Sequence, residues 1–269
     1  MATFLLSAFG DEIADDLEQQ LSTLADLGVR HLELRGAWGK NVLDLSAAEL
    51  ERAQALLQQY GFGVSAIASP IGKSQLAQPR SFEQERLERA INAAQVLDAK
   101  LIRVFSFYYS GAAEQARDEV IARMTMLSDR AGQAGLTLVH ENEKDIFGDS
   151  AGRCIDLMQS INHPALRMAF DPANFVQCGV RPMIDAWPGL AEFVTHVHIK
   201  DAIFADGSVR PAGQGDGAIP ELIATLRARD YHGFLTLEPH LKVAGHSGGY
   251  SGPEGMQVAV AALQAVLTA

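Results

Sequence analysis

Cysteine is nearly absent. Cys154 and Cys178 are the only thiols in 269 residues, and neither sits in a CxxC pair, so a disulfide framework is excluded and two buried, reduced thiols are expected. Positive charge is scarce as well: 22 Lys and Arg face 33 Asp and Glu, for a formal charge of −11. That balance argues against a broad nucleic-acid footprint and against docking on an anionic membrane, while leaving room for a local basic pocket. No run approaches the roughly 18 apolar residues of a membrane span. The start, "MATFLLSAFGDEIADD", lacks the basic segment of a signal peptide, so a soluble cytoplasmic protein is expected. The first apolar run is followed by "SAFGDE" and not by a GxGxxG turn, which weighs against a dinucleotide-binding open sheet. No low-complexity stretch or Pro/Gly/Ser-rich linker divides the chain.

What is present is an alternation. Short apolar runs at 3–9, 31–35, 63–69, 101–107, 136–141, 166–171, 194–200 and 234–238 read as strands. Amphipathic segments such as "SAAELERAQALLQQYG" and "SFEQERLERAINAAQVLDA" follow them. Ser46 and Ser81 fall where helix N-caps are expected, and Gly28, Gly61 and Gly135 where helices should stop. Eight such units in a chain close to the roughly 250 residues typical of an α/β barrel predict one (β/α)8 TIM barrel over residues 1–269.

Four of the runs end in a potential metal ligand: "LTLVHE" at Glu141, "LRMAFD" at Asp171, "VTHVH" at His198 and "LTLE" at Glu238. Side chains alternate along a strand, so Val139 shares a face with Glu141, Ala169 with Asp171, His196 with His198, and Thr236 with Glu238. The other phase holds Leu138, Phe170, Val197 and Leu237, which suits a helix-facing layer. Each strand therefore independently turns its ligand into the barrel mouth. Unpaired buried carboxylates are very costly, and one shared divalent cation is the simplest compensation. Three carboxylates and one imidazole favour Mn2+, with Mg2+ or Co2+ close behind, over a structural zinc.

These motifs resemble the xylose-isomerase-like superfamily of sugar phosphate isomerases and epimerases. "HENE", "FDPANF", "HVHIKD" and "LTLEPH" match its ligand-bearing strand ends, and "GVRHLELRG" and "VSAIASPIGK" match its second and third strands. The resemblance implies Glu141, Asp171, His198 and Glu238 as ligands, with Zn2+ a further candidate metal and His196 one layer deeper. It also implies Glu141 and Glu238 as the acid/base pair for proton transfer through a metal-stabilised enediolate, in an isomerase or epimerase of a small sugar, keto-sugar or cyclitol. A lyase or dehydratase of the inosose or 3-keto-glycoside kind is the alternative on the same scaffold. Relatives form dimers or tetramers, so a homo-oligomer is a further expectation. The chain departs from the pattern at Glu143 and Asn174, which stand where relatives carry His, and at "GQGDG" over 213–217, which leaves the substrate open.

Further residues fall near the rim. Glu33, Lys73, Asn174, Lys200 and His240 are candidate substrate contacts, and Asp201 a support for the ligands. Arg103 and Arg167 suit an ion pair inside the barrel. Tyr108, Tyr109, Phe105 and Phe107 could wall the sugar. The last loop, "EPHLKVAGHSGGYSG", with His240 and His246, is long and Gly-rich enough for a lid.

Overall fold

In a computed structural model that describes residues 2–241 and 251–269, eight parallel strands close into a barrel. They are β1 (Thr3–Phe9), β2 (His31–Leu34), β3 (Gly63–Ile67), β4 (Leu101–Val104), β5 (Thr137–Glu141), β6 (Leu166–Phe170), β7 (Val194–Ile199) and β8 (His232–Leu237). Each strand pairs with its neighbours in chain order, and β8 returns to β1. All eight expected strands are there. Most stop a residue or more short of the expected end, because the chain peels into the loops of the mouth. Glu238 lies just past β8, yet its N–H still bonds Ile199 O at 3.3 Å, so it keeps the inward phase.

Helices α1 (Leu17–Asp26), α2 (Ala47–Tyr60), α3 (Arg80–Val96), α4 (Ala113–Gln133), α5 (Ala151–Ile161), α6 (Pro172–Gln177), α7 (Trp187–Leu190), α8 (Ile219–Ala228) and α9 (Gly252–Thr268) surround the barrel. The outward phase of the strands makes the main core: Leu138, Phe170, Val197 and Leu237 are fully buried against the helices. The inward phase is smaller and more polar. Val139 and Ala169 fill it, and Ser7 and Ser65 hydrogen-bond across it at 2.7 Å.

Local signals set the helix ends. Ser46 caps α2 through a reciprocal box with Glu49, and Gly61 closes that helix at φ 68°, where a side chain would be strained. Ser81 does not cap α3. Pro79 takes the N-cap position at ψ 145° and starts the helix at Arg80, which leaves Ser81 inside the first turn. Cys154 is fully buried, with its thiol near Gly148 O, whereas Cys178 is only half-buried; neither forms a disulfide. Among the described residues no helix is long and apolar enough to cross a membrane. His246 and most of the expected lid lie outside the described residues. Two small hairpins rise from the mouth, Gly36–Ala37 with Lys40–Asn41 and Asp201–Ala202 with Val209–Arg210.

The caps give a direct check. Ser46→Ala should lower the unfolding free energy by about 1 kcal/mol, seen as a lower urea midpoint at unchanged slope. Ser81→Ala should stay within about 0.5 kcal/mol of the parent.

Candidate metal centre

Glu141, Asp171, His198 and Glu238 converge at the C-terminal mouth of the barrel. One ligand atom from each lies within 4.8 Å of all the others, and all four residues are buried. Atoms bound at about 2.1 Å to a Mg2+-sized ion lie up to about 4.2 Å apart, so the spacing is close to that of one coordination sphere. Glu141 Oε2, Asp171 Oδ2 and His198 Nδ1 are buried without a well-aligned hydrogen bond, although cations flank both carboxylates. Buried acceptors left in this state need a partner. The donor set and its spacing fit a divalent cation.

The imidazole is oriented from behind. Glu33 is fully buried beneath the centre and lies 3.3 Å from His198 Nε2 and 2.6 Å from His196 Nε2. With Nε2 facing Glu33, His198 turns Nδ1 toward the cluster, 3.2 Å from Glu141. Burial alone would push the Glu33 carboxyl up, but the two histidines hold it well below the carboxylate range. Glu33 therefore reaches no substrate cavity, contrary to the expectation, because the bulge between Leu32 and Glu33 and the inward phase of β2 place it under the histidines. His196 is one layer deeper, as its phase implied, and is also 3.1 Å from Thr236.

Permanent cations flank the carboxylates. Arg103 Nη1 lies 3.1 Å from Glu141, and Lys200 Nζ lies 3.0 Å from Asp171 and 2.9 Å from Glu238. Arg35 spans Glu238 at 3.0 Å, Glu12 at 2.9 Å and Asp11 at 2.7 Å. His240 sits 3.1 Å from Glu12 and 3.4 Å from Glu238; burial disfavours its charge, but these carboxylates raise it to about 9. Against burial, Lys200 and His240 hold Glu238 well below the usual range. Asp171 goes the other way: burial lifts it to about 6 despite Lys200. Among the described residues, the six carboxylates Asp11, Glu12, Glu33, Glu141, Asp171 and Glu238 face four cations, Arg35, Arg103, Lys200 and His240. Against its burial, Glu141 and Glu33 also hold His198 well above the usual histidine range, so without a metal it supplies a fifth positive charge, which a cation bound through Nδ1 would displace.

A cavity of about 280 Å3 opens above this cluster, and Glu141, Glu238, Lys73, Asn174, Lys200 and His240 all border it. Lys73 bridges its edge to Glu143 at 2.8 Å, with its ammonium 4.3 Å from the Phe105 ring. Asn174 Nδ2 donates to Glu141 Oε1 at 3.0 Å, and so occupies in this chain the place where relatives' His was expected. Three other expectations need correction. Asp201 does not touch the ligands: its carboxylate accepts the N–H groups of Ala202, Gly213, Gly215 and Gly217 at 2.8–3.0 Å, because the glycine-rich loop folds over it. Arg167 makes no interior ion pair, since it lies at the start of β6 and donates to His163 O and Leu166 O. Of the aromatics after β4, Phe107 is in the core and Tyr109 meets Phe147, whereas Phe105 lies against Lys73 and Arg103, which border the cavity.

Sequence reasoning missed Phe9, Glu12 and Asn142. Phe9 lies inside the barrel, with Arg35 and Arg103 at 4.8 and 5.1 Å from its ring and the His198 ring near-perpendicular at 5.3 Å between centroids, so it braces the cations. Its inward phase at the end of β1 was the available signal. Asn142 exchanges two hydrogen bonds with the backbone of Asp171 and fixes that strand end.

The Asp201 geometry can be tested. Asp201→Asn should remove about 2–3 kcal/mol of stability, since charge-assisted bonds to backbone N–H groups are among the stronger ones. Amide hydrogen exchange at residues 213–217 should rise in parallel.

Similarity to known proteins follows the same lines. A curated 3-dehydroshikimate dehydratase of Bacillus anthracis is 23% identical over 232 residues, 78% of this chain and 81% of the relative. The crystal structure of a probable 3-DHS dehydratase of Bacillus anthracis, involved in petrobactin synthesis, superposes with a TM-score of 0.76 at 18% identity, covering 98% of this chain and 99% of that one. A 3-keto-D-glucoside 4-epimerase of E. coli superposes with a TM-score of 0.73 at 14% identity, covering 99% and 100%. The sequence profile of the xylose isomerase-like TIM barrel family matches residues 21–265, and the chain belongs to that family.

Proposed function

We propose that this chain is a divalent-metal-dependent enzyme that moves a proton on the carbon next to a carbonyl in a small sugar, keto-sugar or cyclitol, as an isomerase or epimerase. The observation that carries it is the pairing of Glu141 and Glu238. They come from β5 and from the end of β8, border one cavity, and share a buried cluster with Asp171 and His198. These four would hold the metal, and the oxygen-rich set favours Mn2+. A cation there would polarise the carbonyl and stabilise the charge left when the proton departs.

The chain's own groups do the rest. Arg103 and Asn174 fix Glu141, while Lys200, Arg35 and His240 fix Glu238. Held as carboxylates, each is a base aimed into the cavity from a different strand. One takes the proton and the other returns it, or a single one carries it between neighbouring carbons. Lys200 is placed to donate to a substrate oxygen and Lys73 closes the edge, while both Asn174 amide hydrogens are spent on Glu141 Oε1 and Asn142 O. Elimination is the second reading: if a β oxygen leaves, the same proton removal gives an enone. The dehydratase relative favours it, and the epimerase neighbour favours the first.

The test is incubation of the Mn2+-loaded protein with ketoses and inososes in D2O, followed by NMR. Exchange at the α-carbon supports both readings, and enone formation selects elimination. A metal-loaded protein that exchanges none of them sinks the proposal. Glu141→Gln and Glu238→Gln should each slow exchange by about 10^2–10^4-fold, with Mn2+ binding followed by calorimetry to separate lost metal from lost base. Mn2+ at 100 times its Kd should stabilise the fold by about 2.7 kcal/mol, and Asp171→Asn should reduce that gain in thermal unfolding.

A further inference from the structure

The cavity above the metal cluster has a neighbour. A second cavity of about 300 Å3, bordered by Asp11, Asp15, Arg35, Lys40 and Asn41 with Gly36 and Gly39 in its floor, adjoins it. Arg35 and Asn41 border both. Arg35 spans the boundary, with Nη1 on Glu238 on one side and Nε on Asp11 on the other. Pockets for drug-sized ligands run to about 300–1,000 Å3. The metal-side cavity, at about 280 Å3, is at the foot of that range, and its neighbour doubles the room.

The wall of the second cavity is built with strain. The hairpin Gly36–Ala37 with Lys40–Asn41 turns through Trp38 at φ 53° and Gly39 at φ 71°. A tryptophan in the left-handed region persists only where its surroundings over-determine it. They do so here: Trp38 N–H bonds Asp15 O, Gln20 Nε2 donates to Gly36 O, Lys40 pairs with Glu49, and Arg52 lies 4.5 Å from the Trp38 ring. Asp11 Oδ1 is buried and has no hydrogen-bond partner among the described residues.

We infer that this is a second compartment of the substrate site, which takes an uncharged, hydroxyl-rich group attached to the reacting sugar. The substrate is then a glycoside-like conjugate and not a free monosaccharide. The inference rests on the proposed reading of the metal-side cavity as the seat of the reacting ring. The lining selects the class. Asp11 and Asp15 offer acceptors and stand beside the cations Arg35 and Lys40, so the charges of the lining balance and favour neither an anion nor a cation, and Gly36 and Gly39 keep the floor open. Asn41 Oδ1 is taken by Leu43 N–H, which leaves its amide hydrogens for a hydroxyl.

The probes are D-fructose and the glucosyl-fructose disaccharides isomaltulose and turanose, titrated calorimetrically into protein given Mn2+. At least one disaccharide should bind about tenfold tighter than D-fructose. Gly39→Asn fills the compartment: a Cβ there meets nothing within 4 Å, and asparagine tolerates left-handed backbone. It should remove the preference. Asp15→Ala, at an exposed position where folding is not at risk, should narrow it. Equal affinities for free and conjugated sugars, a preference that survives Gly39→Asn, or no binding of any disaccharide would each overturn the inference. Mn2+ uptake is titrated first: its absence overturns the metal reading, while the ratio of sugar affinities alone judges the compartment.

Discussion

Buried negative charge is the constraint on which the mouth of this barrel depends. Glu141, Asp171 and Glu238 are almost wholly withdrawn from water with ligand atoms within 4.8 Å of one another, and Glu33 is buried behind them against His198. Such a cluster survives only if each carboxylate meets a cation or a donor. Each of them does. Glu33 has two imidazoles, Glu141 has Arg103, Asp171 has Lys200, and Glu238 has Lys200 and Arg35. Phe9 gives both guanidinium groups an apolar face to rest on, so even the supporting cations are packed and not merely attracted. The convergence of one ligand atom each from Glu141, Asp171, His198 and Glu238 is what sets the cluster apart from a knot of salt bridges.

Loops around the mouth reuse the same device. A buried carboxylate gathers backbone N–H groups and so orders a segment that lacks regular structure. Asp201 holds 213–217, and Glu83 holds the Lys73 loop through Gly72 N–H and Ser74. Glu12 accepts from Arg35, from the backbone of His240 and from the Ser251 hydroxyl, tying both described ends of the last loop to the residue that touches Glu238. Close packing adds to this at Gly72, where a Cβ would stand 2.1 Å from Phe105 O. The site is therefore preorganised by its loops as well as by its strands, which is what proton transfer at a fixed carbon requires.

Isomerisation, epimerisation and elimination all begin by taking the same proton, so under the proposed reading one pair of carboxylates on one scaffold suits all three. What separates them is the group carried next to the reacting carbon and the room allowed for it. The second compartment inferred for this chain is shaped by the loops after β1 and β2, remote in sequence from the four proposed ligands.

The sequence by itself determined the eight strands, the barrel, and the inward phase of Glu141, Asp171, His198 and Glu238. Period-two alternation on a strand is a local property, and each ligand closes its own apolar run. Helix ends were legible where a side chain caps its own backbone, as at Ser46, and less so where proline geometry competes, as at Ser81. Only the tertiary structure decided partners. Glu33 lies 163 residues from His196 and Arg35 lies 203 from Glu238, and no local pattern encodes such pairings. Glu33 was thus read as a rim residue when closure of the barrel buries it under two histidines. Asp201, beside a proposed ligand in sequence, was read as its support when a loop more than ten residues later claims its carboxylate. Periodicity fixes which way a side chain points, while long-range packing chooses what it meets.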